Sequence, residues 1–247
     1  MHAILKALIY KPLYNALIFF IAVIPFHNVG VAVILFTILI KVILFPLSQK
    51  SVKTQFAMKQ VEPELNALKE KYKDNKQLQA EKVMALYQER GINPFSGILL
   101  LLIQFPILMA LYYMFLHGGL PAVNHANLYS FTLVPAHVSS TLFGVDVAAK
   151  STVFALLAAV AQFFQMQFML PKQPKKAAGT PNFSDELSRS MNTQMKYVMP
   201  VIIFVIARNF AVVVSLYLIT SSLFAIGQEM YVRRKAAPQP GVAAYNK

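Results

Sequence analysis

Residues 29–47 read VGVAVILFTILIKVILFPL, nineteen residues in which only Thr37 and Lys41 carry polar side chains. A helix needs ~20 mostly apolar residues to cross the ~30 Å hydrocarbon core, so the length of this run marks a membrane span. Thr37 and Lys41 are four apart and therefore share one helix face. Counted from Gly30, Lys41 lies about 16 Å along the path at ~1.5 Å per residue. A charge at that depth costs at least ~2.5–3.5 kcal/mol, so it faces protein or a water-filled cavity. The bland alternative is a lysine whose stem snorkels toward the cytosolic surface.

Further apolar blocks lie on either side, at 4–26, 94–117, 150–170 and 197–228, the last long enough for two short spans. The chain is 57% hydrophobic and 13% charged, with a mean hydropathy of +0.52. Soluble domains are about a quarter charged, so these totals exclude a water-exposed globule. There is no cysteine, hence no disulfide, thiolate metal site or cysteine nucleophile. There is no tryptophan, so any interfacial aromatic belt rests on Tyr and Phe. The opening MHAILKALIYKPLYNALIFF is not a clean secretory signal, because Lys6 and Lys11 interrupt it.

The net charge of +13 would suggest nucleic acid in a soluble protein, but in a membrane protein the cytoplasmic loops collect Lys and Arg. Segment 48–93 holds Lys50, Lys53, Lys59, Lys69, Lys71, Lys73, Lys76, Lys82 and Arg90, whereas 118–149 holds no Lys or Arg. Lys172, Lys175, Lys176, Arg189 and Lys196 fall in 171–196, and the tail begins Val232-Arg233-Arg234-Lys235. These asymmetries place 48–93, the linker 171–195 and the tail 232–247 in the cytosol, with the loop 118–149 outside against the membrane surface. Spans are expected at 29–47, 94–117, 150–170, 196–208 and 211–231, with the outer tip of the last pair beside Arg208-Asn209. Residues 1–28 are expected to hold a helix in the outer interface, since Lys6, Lys11, Pro12 and Asn15 interrupt its first half. A sixth span is the alternative that length permits.

Segment 48–93 reads as a mobile helical hairpin. Val52, Phe56, Val61, Leu65, Leu68 and Tyr72 recur at helical steps, Lys73-Asp74-Asn75-Lys76 makes a turn, and Leu78, Val83, Leu86 and Tyr87 continue the apolar face. Gly91 and Asn93-Pro94 end the second helix. The segment 171–195 reads as a Pro- and Lys-rich linker with at most a helical turn after Ser184.

Polar residues recur in the other spans: Gln104; Gln162, Gln165 and Gln167; and Ser215, Tyr217, Thr220, Ser221 and Ser222. Each alone is explained by interhelical hydrogen bonding, worth ~0.6 kcal/mol on average. Together with a lysine that has no carboxylate in any span, they point to a hydrophilic groove. The methionines of the later spans suit a surface for varied apolar partners, and lipid-facing packing accounts for them almost as well. No nucleophile elbow, zinc-protease helix, phosphate loop or dinucleotide turn is present, and the histidines lack metal-ligand spacing. Ser130, His125, His137 and Asp146 share the outer loop, but a triad there is a remote reading. No enzyme, cofactor or metal is expected.

Six strings resemble the YidC/Oxa/Alb insertase family, in order and with that family's spacing: Thr37–Leu47, Gln60–Leu65, Lys71–Asp74, Ile92–Phe95, Leu102–Ile107 and Met195–Pro200. The resemblance covers roughly residues 8–235. It implies an all-α polytopic membrane protein with a five-transmembrane-helix insertase core, an N-terminal interfacial helix and a cytoplasmic helical hairpin. It also implies a groove open to cytosol and lipid but closed outside, carrying one positive charge that is usually arginine and here is Lys41. The groove expected on these grounds is lined by Thr37, Lys41, Gln104, Gln162, Gln165, Tyr217 and Ser221. The docking hairpin presents Lys59, Lys69 and Lys73. The usual second aromatic of the last span is replaced by Leu218, and the family's large outer domain and long basic tail are absent from this sequence.

The expected function is insertion and folding of nascent membrane proteins in a bacterial plasma membrane, with the C-terminus cytoplasmic. Expected partners are nascent chains, the bilayer, a ribosome held weakly by the basic loops, and a Sec translocon as a further candidate, with the chain monomeric and not bound to DNA. The rival is a small-molecule transporter or channel using the same cavity, which predicts a path open on both faces and an internal repeat that the sequence does not show. A pure chaperone would use the same groove.

Overall fold

The computed structural model describes residues 6–93, 96–116, 120, 122–169 and 193–236; side chains at a few further positions within the helices also lie outside the description. Almost everything described is helix. The helices are α1 (Lys6–Val23), α2 (Val29–Ile43), α3 (Phe45–Gln60), α4 (Glu62–Lys71), α5 (Lys76–Glu89) and α6 (Ser96–Leu116), then α7 (Thr152–Met169), α8 (Met199–Asn209, preceded by Gln194–Val198) and α9 (Val212–Ala236). Among the described residues three helices are long and apolar enough to cross a membrane: Lys6–Val23, Thr152–Met169 and Val212–Arg234. The broken pair Val29–Ile43 and Phe45–Thr54 counts as a fourth if it forms one span. The chain is thus an all-α membrane protein in its main architecture.

Prolines set the breaks. The run 29–47, expected to be one helix, ends at Ile43 and restarts at Phe45. Pro46 has no N–H for the carbonyl of Val42, and its ring crowds that carbonyl, so it sits in the first turn of a new helix. Pro63 does the same after Val61, so the first arm of the expected hairpin is two helices, α3 and α4. Pro12 and Pro200 each follow a π-wound turn, Lys6–Tyr10 and Gln194–Val198, where the ladder widens around the missing donor.

The residues form two compact units: Met1–Ile43 with Gln104–Gly227, and Leu44–Ile103 with Gln228–Lys247. In the first, α7 packs on α8 through a stripe of small residues. Ala155 and Ala158 meet Ala207, with Ile203, Phe204, Leu218 and Ile219 around them. Small side chains let backbones approach closely where no hydrophobic effect drives helices together in lipid. The opposite face of α7 exposes Val153, Leu156, Leu157, Val160 and Phe164, and α8 exposes Val201, Ile202, Val205 and Ile206. Apolar stripes on that scale have no place in water and fit lipid.

Residues 137–149, expected only to lie along the membrane surface, are tightly built. Two-residue strands β1 (Thr141–Leu142) and β2 (Val145–Asp146) pair antiparallel around a turn at Phe143-Gly144, both at positive φ. The turn accounts for this departure from a pure helix: a two-residue hairpin loop demands φ > 0, which Gly144 meets without strain. Ser139 exchanges backbone bonds with His27 and Val29, and Val212 and Val213 donate to the carbonyls of Ala149 and Val147. The hairpin therefore seals the first turns of both α2 and α9. Gly30 is where it comes closest: a Cβ there would lie 2.6 Å from Leu142 Cδ2 and 3.2 Å from Val147 Cγ1, both on buried residues. Gly30→Ala is expected to cost about 1–3 kcal/mol through overpacking, read as a lower melting temperature in detergent. A melting temperature unchanged from wild type would show that the hairpin yields freely.

In the second unit α4 and α5 pack against each other around buried Val61, Leu86 and Ile92, with Leu65, Leu68 and Tyr87 at the margin. Asn75 caps α5 by accepting from Leu78 N–H at 3.0 Å. At its other end Gly91 takes φ +63°, Ile92 N–H donates to Tyr87 C=O and Gly91 N–H to Gln88 C=O, a paired C-terminal motif that needs the left-handed glycine. Arg90 donates to both oxygens of Glu64, at 2.7 and 2.9 Å, tying the end of α5 to the start of α4. Against the last turns of α9, Gln228 donates to Ser48 Oγ, the rings of Phe45 and Tyr231 meet at 6.0 Å, and buried Glu229 accepts from Arg233 at 3.0 Å.

Candidate functional site

Lys41 lies near the end of α2, in an element otherwise apolar apart from Thr37. Its Nζ donates to Gln104 Oε1 at 3.0 Å, across to α6 and sixty-three positions away in sequence. Among the described residues it makes no ion pair. An ammonium has three donors and this bond uses one. The amide partner accepts a charge-assisted bond, worth ~1.5–3 kcal/mol, without cancelling the charge. The arrangement is a half-buried cation with spare donors, which is tolerable where water or an anionic group reaches it. Glu229, the nearest carboxylate by sequence reasoning, is bonded to Arg233.

Thr37 is buried and turns its hydroxyl back to Val33 C=O at 2.6 Å, satisfying itself on its own helix. Gln162 on α7 accepts from Ser222 on α9 at 3.2 Å. The sequence reading chose Ser221; the bonded residue is its neighbour, one helical step of about 100° around the axis. Gln165 donates weakly to Met169 Sδ at 3.4 Å on its own helix. Tyr217 is buried and faces protein. The contacts thus join Lys41 with Gln104, and Gln162 with Ser222, as two separate pairs, while Thr37 and Gln165 bond within their own helices.

Of the hairpin lysines, Lys73 stands exposed in the turn, 3.8 Å from Glu70, and the Lys69 carbonyl accepts from Gln79 at 2.6 Å. The Lys59 side chain lies outside the described residues, as does most of the linker 171–195. No group of three His, Asp or Glu among the described residues stands close enough to hold a metal.

Sequence reasoning took Asn15 only as a polar interruption of the N-terminal helix and missed its contacts. It sits buried in α1, where its Nδ2 donates to the carbonyls of Lys11 (2.8 Å) and Asn127 (2.9 Å). Its Oδ1 accepts from Tyr129 N–H (2.7 Å) and Thr132 Oγ1 (2.6 Å). Beside it the buried Tyr14 hydroxyl accepts from Asn124 N–H at 2.8 Å. The only sequence signal was an asparagine inside an apolar helix, and that fits an exposed polar face equally well.

The family model described as 60Kd inner membrane protein matches residues 20–239. A membrane protein insertase YidC of Clostridium tetani is 33% identical over 210 residues, covering 85% of this chain and 84% of that protein. The membrane protein insertase MisCA of Bacillus subtilis is 32% identical over 242 residues, covering 94% and 82%. A YidC of Streptomyces avermitilis is 29% identical over 236 residues, and there the chain spans about half of the relative's length (53%). With a family match over most of its length and relatives above 30% identity that it nearly spans, the chain belongs to the 60Kd inner membrane protein family, that of the YidC and MisCA membrane protein insertases.

Proposed function

We propose that this chain inserts nascent membrane proteins through a hydrophilic groove built beside Lys41, and the observation that carries this reading is the Lys41–Gln104 pair. A half-buried ammonium bonded to a neutral amide keeps its charge and holds water in its neighbourhood. Water there shortens the hydrocarbon path that a polar flank must cross, and the charge attracts acidic residues in that flank. The apolar segment then leaves sideways into lipid, driven by burial at ~25 cal/mol per Å². Energy comes from partitioning and the membrane potential. Thr37, Gln162, Gln165, Tyr217 and Ser221 belong to the same groove in this reading only as its supporting walls, since Thr37 and Tyr217 are buried.

The core has five spans, with α1 lying in the outer interface. Support for that position comes from Asn15, midway along α1, which is bonded to the loop 124–132 that the charge pattern places outside. Helices α3–α5 face the cytosol with Lys59, Lys69 and Lys73, receive the nascent chain there and touch the ribosome weakly; the C-terminus is cytoplasmic. A transporter needs a path to the outer face. The hairpin 139–147 packed on Gly30 and bonded to Val212 and Val213 supports a groove closed on that side.

The test is depletion and rescue in bacteria lacking their own insertase, with protease protection of a small single-span substrate as the readout. Restored insertion is expected. No restoration, with the protein demonstrably in the membrane, would shift the reading to transport or to folding assistance alone.

A further inference from the structure

Among the described residues the three most exposed large apolar side chains are all phenylalanines in turns, in segments that the charge pattern places outside: Phe143 (89%), Phe26 (84%) and Phe131 (81%). We infer that they enter the outer lipid leaflet and set the depth at which the loops around them ride on the bilayer. The inference rests on the membrane-spanning reading of the chain.

Phe143 occupies φ +50° at the tip of the β1–β2 hairpin, and Phe26 occupies φ +67° in the turn between α1 and α2. A bulky residue at positive φ is strained, and asparagine or glycine fits either place better. Burial within the protein does not account for either ring, because both are almost fully exposed. The turns dictate the positive φ but not a bulky apolar side chain there, so two exposed rings kept at such positions point to something outside the protein that each ring meets. Phe131 adds a third ring, stacked at 5.3 Å on Tyr129, a residue whose N–H is held by Asn15. All three therefore project from fixed turns.

The surroundings identify the occupant as lipid. No Lys or Arg lies between Gly118 and Ala149, so nothing there draws an acidic partner. Asn28 donates to Thr141 C=O at 2.7 Å, which holds the Phe26 and Phe143 turns to each other at the start of α2. That helix continues with exposed Leu35, Ile38 and Leu39, an apolar face that meets lipid. The amphipathic rings of tryptophan and tyrosine settle at the interface between acyl chains and headgroups, and phenylalanine inserts at the same boundary from its acyl side. The sequence has no tryptophan, so its ring anchors are tyrosine and phenylalanine.

The same absence makes the test clean. Phe26→Trp and Phe143→Trp, made separately so that failure of one leaves the other, each give a single tryptophan in the full chain, excited at the red edge where its eleven tyrosines do not absorb. The protein is reconstituted in phosphatidylcholine vesicles with a minor share of phosphatidylglycerol. Quenching is compared among phosphatidylcholine brominated near the carbonyl end, phosphatidylcholine brominated near the chain end, and aqueous iodide. Leu39→Trp serves as a deep reference and Asn66→Trp as an aqueous one. The expected result is blue-shifted emission with the greatest loss to the carbonyl-end bromolipid and little loss to iodide. Iodide quenching equal to the aqueous reference would overturn the proposal, as would protection from all three quenchers, which would mean that protein covers the rings. None of these outcomes depends on insertase activity, so depletion and rescue fails or succeeds independently.

Discussion

Lys41→Ala or Lys41→Gln should lower insertion of a single-span substrate with an acidic flank about tenfold, the factor that ~1.4 kcal/mol represents, while Lys41→Arg should preserve it. Two unit charges ~4 Å apart interact by about 4 kcal/mol at an effective dielectric constant near 20. Desolvation removes part of that, and a net effect of one factor of ten is a modest remainder. Glutamine keeps a polar side chain and alanine does not, but both lack the charge, so Ala and Gln should behave alike if the charge is what acts. Arginine keeps the charge and adds a planar fork that reaches the Gln104 carbonyl and a carboxylate together. Protease protection with substrates differing only in the acidic flank checks this, and the loss should shrink when the flank is neutral. Equal insertion by all four proteins would remove the charge from the mechanism and leave Lys41 as a residue that only supports the fold.

What the sequence made legible follows from how local each signal is. Long apolar runs report burial or lipid over one helix, so the helical, membrane-embedded character of the chain could be read directly. Pro46 and Pro63 were visible breakers, yet the hydropathy of 29–47 and the stripe 52–72 outweighed them, and both runs were read through their breaks. The hairpin at 141–146 was hidden because its first turn residue is phenylalanine, the wrong chemistry for a two-residue turn. Which of Ser221 and Ser222 meets Gln162 is a matter of helix phase, which adjacent serines in an apolar span do not resolve. The Lys41–Gln104 pair could be anticipated as two polar residues needing a common environment, but not as a contact: no periodicity links positions on different helices.

Asn15 shows the same limit and gives the second large effect. Asn15→Leu should destabilise the protein by about 2–4 kcal/mol, because it leaves one buried and two part-buried polar groups without partners, at ~1–3 kcal/mol for a fully buried one and less where water reaches. The groups concerned are the Asn127 carbonyl, the Tyr129 N–H and the Thr132 hydroxyl; the Lys11 carbonyl keeps its place in the helix ladder. Asn15→Asp separates the two halves of the clamp. A carboxylate still accepts from Tyr129 and Thr132, but it cannot donate to Asn127 and sets negative charge against that carbonyl. It should therefore cost at least as much as leucine at neutral pH and recover part of the loss as acidification protonates it. Thermal melting in detergent measures the stability, and chymotrypsin cleavage at Tyr129 and Phe131 reports whether the loop has left α1. Faster cleavage with an unchanged melting temperature would mean that the clamp holds the loop without supporting the bundle. Unchanged cleavage and melting together would show that backbone packing alone seats this loop, and the case for α1 lying at the depth of the outer loop would lose its main support.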